Sequence, residues 1–122
     1  MSEHNASEIR IGIRMGVTHR ELRSQAVVVS IGRATPDQEW PPTIDLSQDE
    51  SVSRRHAEIR RTRDGYTIID FNSTNGTWVN GQRIPSGETI ALSDGDRVAV
   101  GRLSLLTINI VGVGDAGPSP EI

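Results

Sequence analysis

The chain has 122 residues, enough for one domain that buries a core without covalent staples. It has no cysteine, which excludes disulfides, thiolate metal sites and a cysteine nucleophile, and its net charge of −3 argues against a general nucleic-acid or membrane binder. All 13 basic residues are arginine, so a Walker A loop and a lysine Schiff base are excluded as well. Codon usage in a GC-rich genome accounts for this without invoking function. Arginine also suits bidentate binding of phosphate or carboxylate.

Residues 1–8, MSEHNASE, are polar, lack the apolar stretch of a signal peptide and read as a disordered lead. Ile9, Ile11 and Ile13 alternate with Arg10, Gly12 and Arg14, the period of a half-buried strand. Val27–Ile31 is rich in β-branched residues and stops at Gly32, and Thr43–Leu46 is short and alternating. His56–Arg60 places Ala57 and Ile59 on one face, and Tyr66–Ile69 follows the turn at Asp64-Gly65. Thr77–Val79, a piece around Arg83-Ile84, Thr89–Leu92, Arg97–Val100 and a long segment near Leu103–Val111 complete the series. Residues 112–122, GVGDAGPSPEI, read as a disordered tail. Short strands punctuated by Asn-Gly, Asp-Gly and Ser-Gly, with no helical period, predict an all-β sandwich or barrel. No segment is apolar for long enough to span a membrane, and the expected location is the cytoplasm.

Asn75-Gly76 and Asn80-Gly81 both carry a strong hairpin signal. Asn80-Gly81 separates two short strand segments and fits a two-residue turn, whereas Asn75-Gly76 lies in a longer polar loop. GVGDAG at 112–117 matches G-x-G-x-x-G but opens no helix, so it lacks the helix N-terminus a pyrophosphate needs. Ser53, His56 and Asp70 have the residue types of a serine triad, yet no nucleophile elbow or oxyanion motif accompanies them. His4, His19 and His56 are too scattered to form a metal site. Neither catalysis nor a cofactor is expected.

Three loops hold the remaining chemistry. Gly32-Arg33 ends one strand, Ser53-Arg54-Arg55-His56 enters another, and Asn72–Thr77 links two more. Brought to one end of a sandwich, they assemble guanidinium groups, hydroxyls and an amide, the inventory for holding a phosphate and a piece of peptide backbone.

The order Gly32-Arg33, Ser53-x-x-His56, Asn75-Gly76 resembles the signature of forkhead-associated (FHA) domains. Thr77–Gly81 and Leu92–Gly101 extend the resemblance, which covers roughly residues 27–111; residues 9–26 would supply the early strands, giving a domain over 9–111. It implies a two-sheet β-sandwich of about eleven strands with its binding loops at one end. It also implies recognition of phosphothreonine in partner proteins. Arg33 and Ser53 would contact the phosphate, Arg54 would add a phosphate or backbone contact, Thr74 a hydroxyl or main-chain contact, and Asn75 would bond the peptide backbone. Gly32, His56 and Gly76 would shape and tie the loops. The implied partner is a phosphothreonine-containing protein, such as a Ser/Thr kinase or its substrate, met by a monomer without nucleic acid or membrane. The alternative is a phosphate-independent scaffold or oligomerisation domain on the same fold.

The segment between Arg33 and Ser53 is longer than usual for this family. Trp40 within it is either a rim contact or a cap on the sandwich edge. Asp37, Glu39, Asp49 and Glu50 nearby would favour basic over acidic peptides.

Overall fold

A computed structural model describes residues 7–112. It contains eleven strands: β1 Ser7–Met15, β2 Thr18–Ser24, β3 Val28–Gly32, β4 Ile44–Asp45, β5 Ala57–Thr62, β6 Gly65–Asp70, β7 Thr77–Val79, β8 Gln82–Arg83, β9 Thr89–Leu92, β10 Arg97–Val100 and β11 Ser104–Gly112. They form a six-stranded sheet, β2-β1-β11-β10-β7-β8, and a five-stranded sheet, β4-β3-β5-β6-β9. Every pairing is antiparallel except β3 with β4. The all-β sandwich expected from the sequence is the observed fold. β1 begins at Ser7 and β11 ends at Gly112, slightly beyond the limits read from the sequence. The rest of the lead and tail lies outside the described residues.

The alternation along the chain becomes the core. Ile9, Ile11 and Ile13 of β1 face inward with Val98 and Val100 of β10 and Leu106 and Ile108 of β11, all at most 3% exposed. Val29 and Ile31 of β3, Ile59 of β5 and Ile68 of β6 meet them from the other sheet. Burying each such side chain contributes roughly 1.5–3 kcal/mol before the entropy of ordering it. Almost all of this core is aliphatic, and Tyr66 is its one large buried aromatic.

The β2 strand, THRELRS, has no apolar alternation and was not resolved as a separate element in the sequence pattern. It lies at the sheet edge, where charged side chains in a half-exposed strand discourage pairing with another chain. The β7–β8 connection is a two-residue turn: Val79 pairs with Gln82, and Asn80 and Gly81 have φ of 52° and 85°. Positive φ at both positions is the type I′ geometry for which Asn-Gly is selected. Asn75-Gly76 forms no such turn and lies in the loop joining β6 to β7.

Backbone hydrogen bonds gather the candidate binding loops at one end of the sandwich. Arg33, just past β3, donates its N–H to the carbonyls of Ser53 and Arg54, and Gly101 in the β10–β11 turn donates to Gly76.

Candidate functional site

The end of β3 can touch the β4–β5 loop only because residue 32 is glycine. A Cβ on Gly32 would overlap the carbonyl oxygen of Arg54. The close approach delivers Arg33 to the loop, where its Nε donates to the Val52 carbonyl at 2.9 Å. That bond fixes the plane of the guanidinium and leaves its two terminal NH2 groups for a ligand. Ser53 lies alongside, and its Oγ accepts the N–H of Thr74 at 3.1 Å. With a lone pair so engaged, the hydroxyl proton is available to donate outward. Arg54 and Thr74 are exposed, while Arg33, Ser53 and Asn75 are half-buried.

Asn75 has a structural duty in addition to the one expected of it. Its Nδ2 donates to the Ser51 carbonyl at 2.8 Å, which bridges the β6–β7 loop to the β4–β5 loop. Its carbonyl oxygen remains able to accept from a peptide N–H.

His56 is fully buried between the same two loops. The Ser53 N–H donates to its Nδ1 at 3.0 Å, so the ring proton resides on Nε2, which donates to the Gly76 carbonyl at 2.8 Å. Burial pushes the imidazole below its ordinary pKa of 6.5, against the opposing pull of the Gly76 carbonyl and the charges of Asp70 and Asp49. It is therefore neutral at pH 7. The Ser53–His56–Asp70 set is not a triad. His56 meets the backbone of Ser53 rather than its hydroxyl, and its other nitrogen is taken by a carbonyl. Gly76 has φ of 95°, and a Cβ there would come within 3.0 Å of Trp78 and Arg83.

Two buried aspartates anchor the loops, and neither was read from the sequence as doing so. Asp49 accepts from the N–H and Oγ of Ser51 at 3.0 and 2.5 Å, from the Leu103 N–H at 3.2 Å and from Ser104 Oγ at 2.6 Å. It ties the β4–β5 loop to the β10–β11 turn, and Ser51 Oγ accepts the Arg102 N–H as a further link. Asp70 accepts from the N–H and Oγ of Ser73, from Thr77 Oγ1 and from Ser86 Oγ, and so fixes the start of the β6–β7 loop. In both, burial raises the carboxyl pKa but the donated hydrogen bonds outweigh it, holding each below its ordinary value of 3.8. Asp49 therefore presents no charge to a peptide from the surface, contrary to the acidic patch expected around it.

The structure thus brings Arg33, Ser53, Arg54, Thr74 and Asn75 to one end of the sandwich, with Gly32, His56 and Gly76 beneath them. The family model for the FHA domain matches residues 29–101, more than half of the chain. The chain belongs to the FHA domain family. The FHA fold is shared with a solved structure from work on phosphothreonine-dependent FHA domain interactions, at 29% identity and a TM-score of 0.67, over 84% of this chain and 95% of that one. The oxoglutarate dehydrogenase inhibitor of Corynebacterium jeikeium is 44% identical over 69 residues, 56% of this chain and 46% of the relative. Protein FraH of Nostoc sp. is 39% identical over 90 residues, 71% of this chain and 30% of the relative. The chain thus matches less than half the length of these curated relatives. The inhibitor is by its name a regulator of that dehydrogenase.

Proposed function

We propose that this FHA domain is a phosphothreonine-peptide recognition module that mediates phosphorylation-dependent protein–protein interaction in Ser/Thr kinase signalling. The observation that carries the reading is the pairing of Arg33 with Ser53. The arginine fork is held by Val52 with its terminal nitrogens unspent, and the serine hydroxyl is polarised by the Thr74 N–H with its proton unspent. A phosphate carries about −1.5 to −2 charge at neutral pH. Each hydrogen bond to it contributes roughly 1.5–3 kcal/mol. Three or four of these, less the cost of association, correspond to an affinity of about micromolar. Asn75, through its free carbonyl oxygen, and Arg54, through its exposed guanidinium, add peptide and phosphate contacts. The partner is a kinase or kinase substrate carrying the phosphothreonine.

The test is calorimetric titration with one peptide in phosphothreonine, phosphoserine and unmodified forms. Binding of the phosphothreonine form alone, abolished by Arg33→Ala while the thermal transition is unchanged, supports the reading. Equal binding of phosphorylated and unmodified peptide refutes it.

A further inference from the structure

Val28 and Ser30 alternate with the buried Val29 and Ile31, so they point out of the five-stranded sheet, away from the core. The long segment after β3 folds back along this outer surface. The Thr43 N–H donates to Ser30 Oγ at 2.9 Å, and Gln38 Oε1 accepts the Thr35 N–H at 3.0 Å. The result is a groove of about 370 Å³ lined by Val28, Ser30 and Glu58 of the outer sheet face, by Trp40-Pro41-Pro42 and by Arg54 and Arg55. Trp40 is 81% exposed, so it does not cap the sandwich edge. Val28 is 42% exposed.

The charge of the groove is one-sided. Glu58 is engaged by Arg60 at 3.0 Å, and among the described residues neither Arg54 nor Arg55 meets a carboxylate. Arg55 is instead stacked on Phe71, with its guanidinium carbon 4.0 Å from the ring centroid, which keeps the cation in place beside the groove. Asp37 and Glu39 are exposed on the same segment but do not line the groove. An occupant that satisfies these surfaces has an apolar side chain for Val28, Trp40 and the prolines, and a carboxylate for the arginines. Arg54 also belongs to the candidate phosphate site, so the two surfaces are continuous.

We propose that this groove holds the flank of the phosphothreonine peptide and selects an apolar residue accompanied by an acidic one. The proposal rests on the phosphopeptide reading above and adds a specificity surface that reverses the basic preference expected from the nearby acids. Groove contact by a large apolar side chain and an ion pair predicts a preference of about tenfold or more.

The test uses three phosphothreonine peptides of identical core: one flanked by Gly and Ser, one by Leu and Glu, and one by Leu and Arg, with the flank placed on either side in separate series. The wild-type chain is expected to prefer the Leu/Glu flank on one side. Trp40→Ala and Arg55→Gln should each reduce that preference, and together erase it, while leaving affinity for the Gly/Ser peptide within twofold. Equal affinity for all flanks, or a preference that survives both substitutions, overturns the proposal. So does a Trp40-dependent dimer in sedimentation at the concentrations used for titration, because a second copy then occupies the groove. Loss of phosphate-dependent binding to every peptide is a different result: it refutes the phosphopeptide reading itself.

Discussion

The His56 imidazole is a neutral strut between two loops: its Nε2 donates to the Gly76 carbonyl at 2.8 Å while its Nδ1 accepts from Ser53. Protonation of Nδ1 would set two donors against each other at the Ser53 backbone. Ser53 is itself a candidate ligand-binding residue and Gly76 adjoins another, so the strut sets the separation between Ser53 and Asn75. The buried acids Asp49 and Asp70 then hold the far ends of the same loops.

A pH dependence follows from this strut. The folded-state pKa of His56 lies below the ordinary 6.5, so the unfolded chain binds the proton more readily. Its contribution is complete above pH 6.5 and is lost as pH falls toward the folded-state value. The pKa values of Asp49 and Asp70 are also lowered, from 3.8, so their contribution is present above that value and is lost at lower pH. Urea midpoints measured between pH 8 and pH 3 should therefore fall in two stages, both toward acid. His56→Asn should flatten the first stage and leave the second. A first stage unchanged in that variant would remove His56 from the account.

Asp49→Asn tests the anchor of the β4–β5 loop. The carboxylate accepts four hydrogen bonds, two of them from backbone N–H groups of Ser51 and Leu103. An amide turns an NH2 toward one of these donors, which leaves a buried N–H without an acceptor at a cost of about 1–3 kcal/mol. Glu50→Gln, at the exposed neighbour, should stay within about 0.5 kcal/mol. Chemical denaturation measures both. Equal midpoints for the two variants would mean that the Asp49 network carries no stability.

Gly32→Ala tests the close approach of β3 to the loop. Because the new methyl overlaps the Arg54 carbonyl, the loop must move or the strand must shift. Overpacking of this kind costs about 1–3 kcal/mol. Affinity for a phosphothreonine peptide should fall at temperatures where the variant is still folded, since Ser53 and Arg54 move with that carbonyl. A folded variant with wild-type affinity would show that the loop position is immaterial to binding.

What could be read from the sequence depended on whether the physics was local. Ile9, Ile11 and Ile13 announce their strand because burial alternates with the pleat, and Asn80-Gly81 announces its turn because few residues tolerate positive φ. Gly32, Arg33, Ser53, His56 and Asn75-Gly76 could be placed by their order along the chain. Strand β2 could not be delimited, since an edge strand with THRELRS has no buried face to impose a period. The Asp49 anchor was equally hidden: its partner Ser104 is 55 residues away, and an aspartate in a polar loop looks the same whether it faces water or the interior. The groove beside Trp40 needed the fold-back of its loop onto Ser30, which no spacing encodes.

The two Asn-Gly pairs provide the sharpest separation of stability from binding. Asn80 holds φ of 52°, donates from Nδ2 to Asp96 and accepts the Arg97 N–H, so its roles are all within the fold. Asn80→Ala should destabilise the chain by about 1–2 kcal/mol through the left-handed backbone and the lost bonds, with no effect on peptide affinity of the folded protein. Asn75→Ala also has a stability cost, about 1 kcal/mol for the bond from Nδ2 to the Ser51 carbonyl. It should in addition weaken phosphopeptide binding tenfold or more under conditions where the variant is fully folded. Asn75→Asp separates the two duties further. It keeps an acceptor for the peptide N–H but places a carboxylate against the Ser51 carbonyl and close to the incoming phosphate, so it should bind no better than Asn75→Ala. Wild-type affinity in folded Asn75→Ala would leave Asn75 as a loop tie alone, and the peptide-backbone contact would have to come from another residue.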